Sequence, residues 1–479
     1  MYCQLEALRH CLPPSVKGIL DELPESLDET YERVLKSINR ANRDHSLRLL
    51  QCVTVAVRPL RVEELAEVLT VDFNAVRNGG MPNVKPDWRW SDQHQAVLST
   101  CSSLITIVDD GDSQVVQFSH FSVKEFLTSD RLARSSGDIS RYHILLSPAH
   151  TILAQACLGV LLRLDEHIMR YSASDIPLAD YAARHWVDHA QFEDVSSHIQ
   201  EVMEYFFDAD KPHWAAWLRV YDIDDRPWFN FTPHSVIRIP APLYYTALCG
   251  FYDLAEHLVI KNPEHVNARG GRMVTPLVAA LSRGHFRVSD LLHEHGSDLH
   301  PHGEWGMTPL HGASYHGLVD MMRWLLDHGA NVNARSDDGF TPLHLFMVLD
   351  RPEICRILLE HNADINTRDN FGKAPLHWAA MTKYARDAND MLKTMQLLLG
   401  HGADPNVRDD DGCTPLHDSS WWKKENNGLY SGTVEGAHLL LDHGANIDAE
   451  NNEGKTPLQL ASEAGYLEMV EFLSGRGAK

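Results

Sequence analysis

Thr308-Pro309-Leu310-His311, followed by Leu325-Leu326-Asp327-His328-Gly329-Ala330-Asn331-Val332-Asn333-Ala334-Arg335 and the turn Asp337-Asp338-Gly339, is the stretch on which the fold turns. Thr-Pro opens a helix, because the first helical position needs no N–H and the fixed φ of proline already suits entry. Leu310 and the small residues after it then face a neighbouring helix, and a second helix closes at Gly329, where a departing chain commonly turns left-handed. The unit recurs. Thr275-Pro276-Leu277, Thr341-Pro342-Leu343, Ala374-Pro375-Leu376, Thr414-Pro415-Leu416 and Thr456-Pro457-Leu458 repeat its opening, and Ala241-Pro242-Leu243 is a weaker copy. From proline to proline the steps are 34, 33, 33, 33, 40 and 42 residues. A fixed period of this size marks stacked supersecondary units, none of which buries its apolar face alone. Such arrays build long binding surfaces and seldom a catalytic pocket.

The motifs T-P-L-H, H-G-A-[ND]-x-N and D-x-x-G recur in register and closely resemble the ankyrin repeat family over residues 238–479. The resemblance implies an α-solenoid of about seven repeats, the first degenerate, with Asn262-Pro263-Glu264-His265 where the others read H-G-A-D. The two long steps carry insertions near 381–393 and 421–433, which are expected as loops between paired helices.

A chain of 479 residues exceeds one core and is expected to form several domains. Its 43 basic and 66 acidic residues give a net charge of −23 with no basic stripe, which argues against nucleic acid or an anionic membrane as partner. The eight cysteines (3, 11, 52, 101, 157, 249, 355 and 413) form no C-x-x-C pair and fit reduced thiols in the cytoplasm or nucleus. The N-terminal residues lack the apolar core of a signal peptide, and the longest apolar run, near 152–164, is too short to span a bilayer.

The first half reads differently. Ser26-Leu27-Asp28-Glu29 is a capping box, after which Leu27, Tyr31, Val34, Leu35 and Ile38 recur at helical spacing. Helices are expected over 46–57, over 62–69 and up to about 103, with Gly, Pro and Trp crowded into 78–90. Leu104–Val108 and Val115–Ser119 read as strands joined by Asp109-Asp110-Gly111-Asp112, and Ser122-Val123-Lys124-Glu125 as a second capping box. Helices followed by a hairpin describe a winged helix. The chain is therefore read as mainly α: a helical remnant over 1–45, a winged-helix domain over 46–135 with its wing at 104–119, a helical linker domain over 136–237, and the repeats from 238.

Leu23–Leu35, Arg58–Leu69 and Val116–Leu127 also resemble the region that follows the NACHT NTPase domain in fungal STAND, or NOD-like receptor, proteins, including the winged-helix module of GPI inositol-deacylase-like chains. Pro177–Trp186 resembles the helical segment those proteins carry next. The resemblance implies that an NTPase would precede these residues and that the ankyrin repeats sense a partner. A phosphate-binding loop requires G-x-x-x-x-G-K-[ST], and Gly454-Lys455-Thr456 has Ala449 in place of the first glycine. No nucleotide, metal or other cofactor is therefore expected.

Among single residues, His120 corresponds to a histidine that touches nucleotide in STAND relatives, and is here at most a vestigial sensor beside its plainer reading as a junction histidine. His293, His295, His300, His302 and His311 crowd together without the cysteine or carboxylate that a compact zinc site needs. Trp214, Trp217 and Trp228 read as core, and Asp409-Asp410-Asp411 as a solvated turn. The candidate working surface is the first helix and hairpin tip of each repeat. It offers Trp305, Tyr315, Phe340, Phe371, Trp378, Trp421 and Trp422 among Asp337, Asp338, Asp369, Asp410 and Asp411. Aromatic anchors within an acidic rim favour a protein partner with a basic surface. The chain is accordingly expected to be a non-enzymatic interaction protein, or else the sensing part of a signalling NTPase.

Overall fold

The computed structural model describes residues 26–77, 80–111, 113–135, 137–164, 176–224, 240–348, 352–381, 388–420, 422–425, 428–431 and 433–479. These divide into two compact units, one within Met1–Pro227 together with Ala241–Asn262, the other within Trp228–Pro240 and Pro263–Lys479.

In the first unit Ser26 caps helix Leu27–Ser37 by accepting the Glu29 N–H at 3.2 Å, as the capping box anticipates. Helices Arg43–Val55, Val62–Val68 and Gln93–Cys101 follow, and Ile105–Asp110 pairs antiparallel with Ser113–Phe118 to make the wing. A third strand, Leu60–Arg61, joins the far side of the hairpin with Leu60 opposite Val116. Leu49, Leu50, Val62, Leu65, Val97 and Leu104 close the winged-helix core. Two glutamates lie inside it. Glu64 accepts a two-pronged Arg58 guanidinium at 2.8 and 2.7 Å, and Glu67 takes Arg89 at 2.9 and 2.6 Å, so each buried carboxylate is neutralised where it sits. The helix after the wing starts at Phe121, not after Ser122, because His120 supplies the N-cap.

Helices Leu146–Leu161, Ala179–Ala190, Gln200–Phe206 and His213–Val220 pack around a ring cluster in which Trp186 meets Trp217 edge-on at 5.5 Å. The Trp217 indole N–H donates to Ala183 O at 2.8 Å, which removes the cost of burying it. Trp214 is also buried, while Trp228 lies outside the described residues. The first repeat's helices, Pro242–Cys249 and Tyr252–Lys261, pack into this unit, so compactness does not divide at 237–238. Tyr244 donates to Asp224 at 2.7 Å, Gln191 donates to Cys249 O at 2.6 Å, and Phe251 meets Trp186 at 5.5 Å.

The second unit stacks the remaining helix pairs, opening at Pro276, Pro309, Pro342, Pro375, Pro415 and Pro457, which with the first pair makes seven among the described residues. The segment Pro342–Val348 is a 3-10 helix where its counterparts are α. Neither insertion is a plain loop. Part of the first extends the next helix, Ala388–Gly400, and the second contains an antiparallel hairpin pairing Trp422–Glu425 with Gly428–Ser431. Among the described residues no helix is long and apolar enough to cross a membrane.

Candidate interaction surface

Four ladders stitch neighbouring repeats together and decide which side chains remain free. In the first, the histidine of Thr-Pro-Leu-His accepts the N–H of its own repeat's N-cap at Nδ1 and donates from Nε2 to the next repeat. His311 accepts from Thr308 at 3.1 Å and donates to Phe340 O at 2.9 Å, and His344, His377 and His417 do the same toward Lys373, Cys413 and Lys455. Burial pushes His311, His344 and His377 down to about 4 and lowers His417 as well, so all are neutral, as their hydrogen bonds require.

The second ladder uses asparagine. Asn267, Asn333, Asn366 and Asn406 each accept, through Oδ1, the N–H of Asp298, Asp364, Asp404 and Asn446 one repeat on. His300 stands in this row and accepts the Asn331 N–H at 2.9 Å, His295 bonds Leu291 O and His302 bonds Gly306 O, so these three and His311 serve separate structural bonds. In the third, Arg335, Arg368 and Arg408 donate to Arg368 O, Arg408 O and Glu450 O at 2.8, 2.6 and 2.6 Å.

The fourth ladder joins the hairpin tips. Trp305 O, Asp338 O, Phe371 O and Asp411 O accept the N–H of Asp337, Asn370, Asp410 and Asn452 at 2.8, 3.0, 3.2 and 2.9 Å. Glycine follows each acceptor, at 306, 339, 372 and 412, with φ between 66 and 77°. A Cβ on Gly372 would lie 2.6 Å from Asp410 N, so both the left-handed conformation and the close approach require glycine there.

The candidate residues distribute over this frame as follows. Trp305, Tyr315 and Phe371 are exposed, by 60, 40 and 55%, and Asp337, Asp338, Asp410 and Asp411 are exposed as well. Phe340 and Trp378 are half-buried, with rings 5.6 Å apart edge-on, and Phe371 lies 6.5 Å from Phe340. These three form one aromatic patch across adjacent repeats. Asp369 is not a rim acid. It is buried, accepts the N–H groups of Phe371 and Lys373 at 2.9 Å each through one oxygen, and takes the Trp378 indole at 2.8 Å through the other. Asp409 is likewise buried rather than solvated, because its turn folds Asp411 and Cys413 N–H groups onto its carboxylate. Trp421 lies outside the described residues, as does the side chain of Trp422, whose backbone begins the inserted hairpin.

Asp409, Asp418 and His377 gather within metal-ligating distance of one another, yet the Lys373 ammonium sits among them, 2.8 Å from Asp409 and 3.0 Å from both Asp418 oxygens. Burial works against its charge, and Asp418 and Asp409 outweigh that and hold it protonated. Both His377 nitrogens are already engaged in the ladder. The group is therefore a buried ion pair between repeats. Sequence reasoning passed over Lys373 because the ankyrin pattern does not ask for it; the ladder asparagines and arginines, by contrast, recur at the repeat spacing.

His120 is exposed, caps its helix by accepting the Ser122 N–H at 3.2 Å, and contacts Ser122 Oγ at 2.6 Å, which in turn meets Tyr31 OH at 2.8 Å. Gly454-Lys455-Thr456 lies in a repeat turn, with Lys455 paired to Glu463 and Glu453 at 2.8 and 3.2 Å.

The fold and these ladders define a winged-helix protein carrying ankyrin repeats. The family model "Ankyrin repeats" matches in three copies, at 243–336, 332–409 and 384–479, and "GPI inositol-deacylase, winged helix domain" matches 31–137. The chain is 31% identical over 299 residues to the azaphilone pigments biosynthesis cluster protein L of Monascus ruber, a match covering 58% of this chain and 61% of that protein. It is 35% identical over 72 residues to alpha-latrocrustotoxin-Lt1a of Latrodectus tredecimguttatus, which is 15% of this chain and 5% of the toxin. The chain thus spans about 61% of its fungal relative.

Proposed function

We propose that this chain is a non-enzymatic intracellular recognition protein that captures a protein partner with a basic surface on the first helices and hairpin tips of its ankyrin repeats. The observation that carries the reading is the Phe340–Phe371–Trp378 patch, whose rings lie 5.6 and 6.5 Å from Phe340. Within the patch the Trp378 ring is held by its indole bond to Asp369, so that ring has little side-chain freedom to lose on binding. Exposed Asp337, Asp338 and Asp411 around it favour a cationic partner and speed its approach.

Capture by the full chain and by its Phe340→Ala/Trp378→Ala variant, with the captured protein then titrated by calorimetry, tests this. The variant is expected to lose about 2 kcal/mol or more of affinity if both rings are hot spots. Since both are half-buried, the melting temperature is followed in parallel, and a folded variant with full affinity overturns the reading. A second reading, the sensing part of a STAND-type signalling NTPase, is favoured by the winged-helix match at 31–137. Under either reading the chain itself is expected not to bind Mg-ATP with micromolar affinity, and calorimetry showing that it does would reverse the expectation.

A further inference from the structure

We infer that the hairpin-tip row of the second unit reads arginine: it takes an extended protein segment carrying two arginines about six residues apart, one on Trp305 and Asp338, the other on Phe371 and Asp411. The inference rests on the partner-binding reading above and names the chemistry of the partner.

Up to Glu453 at the last tip, the residue before the tip glycine alternates in kind: Trp305, Asp338, Phe371, Asp411. Their carbonyls all accept the same bond from the next repeat, which places these positions side by side in one row. Both aromatics are exposed by more than half, and Trp305 is held at φ 57°, a left-handed conformation that is costly for a bulky side chain. Among the described residues the carboxylates of Asp338 and Asp411 have no hydrogen bond or ion pair, whereas neighbouring Asp410 is paired with Arg368 at 3.4 Å. Each aromatic therefore has a carboxylate without an ion pair as its neighbour in the row, the guanidinium groups of Arg335, Arg368 and Arg408 at these tips being committed to backbone carbonyls.

A guanidinium fits this alternation. Its flat face stacks on an aromatic ring while its edge donates two parallel bonds to a carboxylate, and a lysine ammonium, being a compact point charge, cannot supply both at once. Packed layers lie 8–10 Å apart, so the two aromatic tips, two repeats apart, are separated by roughly 20 Å. An extended chain covers 3.3–3.6 Å per residue, which gives a spacing of about six residues between the arginines.

Fluorescence anisotropy on the full chain, with labelled Gly/Ser/Ala peptides, tests this directly. One peptide carries two arginines six apart, the second two lysines in the same places, the third two arginines three apart. The first is expected to bind about tenfold more tightly than the lysine peptide and to exceed the third. Trp305→Ala/Phe371→Ala and Asp338→Asn/Asp411→Asn should each abolish that preference; the asparagine pair, isosteric and exposed, keeps the test valid if the alanine pair melts early. Equal affinity for lysine, an unchanged preference in the asparagine pair, or no binding of any peptide at about 1 mM overturns the inference. If the captured partner is lost on Phe340→Ala/Trp378→Ala but is not competed by the arginine peptide, the groove reading stands and the arginine reading falls.

Discussion

Acid should loosen the ankyrin array between pH 6.5 and 4, and three histidines account for it. His311, His344 and His377 are held near 4 by burial, against an ordinary value of 6.5. In the native state Nδ1 accepts an N–H, so protonation there would turn an acceptor into a donor facing a donor. Between pH 6.5 and 4 the unfolded chain takes up protons that the native chain refuses, so stability is full above about 6.5 and declines as pH falls toward about 4. At pH 5.5, one unit below the unfolded value, each histidine forfeits about 1.4 kcal/mol, and the three together about 4 kcal/mol. With a urea slope near 2 kcal/mol per molar, the midpoint of the array should drop by about 2 M between pH 7.5 and 5.5. The last repeat supplies the control. Gln459 occupies the histidine position there and accepts the Thr456 N–H at 2.9 Å through a group that does not titrate. A His311→Gln/His344→Gln/His377→Gln variant should retain the caps and lose most of the pH dependence. Urea unfolding followed by circular dichroism at the two pH values decides. A wild-type midpoint that moves no more than the variant's refutes the assignment of the acid sensitivity to this ladder.

Gly372→Ala should cost more than 1 kcal/mol in urea unfolding, since the residue is left-handed at φ 73° and its Cβ would press on the Asp410 amide; an unchanged midpoint would mean the tips are not closely packed. Lys373→Met strands two carboxylates beside each other in the repeat interface and is expected to destabilise by about 3 kcal/mol, with Lys373→Arg recovering part of it; a neutral Lys373→Met would show that the pair is solvated. Asp369→Ala orphans two backbone N–H groups and the Trp378 indole, for a loss of about 2–3 kcal/mol together with a red-shifted tryptophan emission; a stable variant with unchanged emission would contradict the observed hydrogen bonds.

The array was legible because its information is periodic: Thr-Pro, His-Gly-Ala and the tip glycine each mark a backbone event at fixed spacing. The wing was legible from alternation about Asp109–Asp112, whereas its third strand, Leu60–Arg61, is two residues long and exists only because Val115 and Val116 present an open edge to it. The same limit explains the acidic turns. Asp369, Asp409 and Asp411 look alike in sequence, and only the folding of the turn decides which carboxylate collects N–H groups and is buried. Likewise Ser122 has the spacing of an N-cap, but Ser119 is tied to Leu104 O at the end of the wing, and the helix then begins one residue after His120. The second insertion carried no strand signal, and its pairing is local, between two four-residue segments only two residues apart in the chain.

The ladders also explain how the array separates stability from recognition. The tip ladder itself is backbone to backbone, with Asn370 and Asn452 side chains reinforcing it through Asp337 O and Asp410 O at 2.8 Å each. The residue before the tip glycine contributes only its carbonyl, so its side chain is unconstrained by the stack and can be tryptophan, aspartate or phenylalanine at equivalent positions. Conversely, positions whose side chains do carry the stack hold nearly one residue type: histidine at 311, 344, 377 and 417, and arginine at 335, 368 and 408. Variation at a structurally equivalent site, where the fold asks nothing of the side chain, leaves that side chain available to a partner. On this ground the exposed Trp305 and Phe371 are the place to look for contact, and the half-buried Phe340 and Trp378, which touch each other, are where contact and stability will prove hardest to separate.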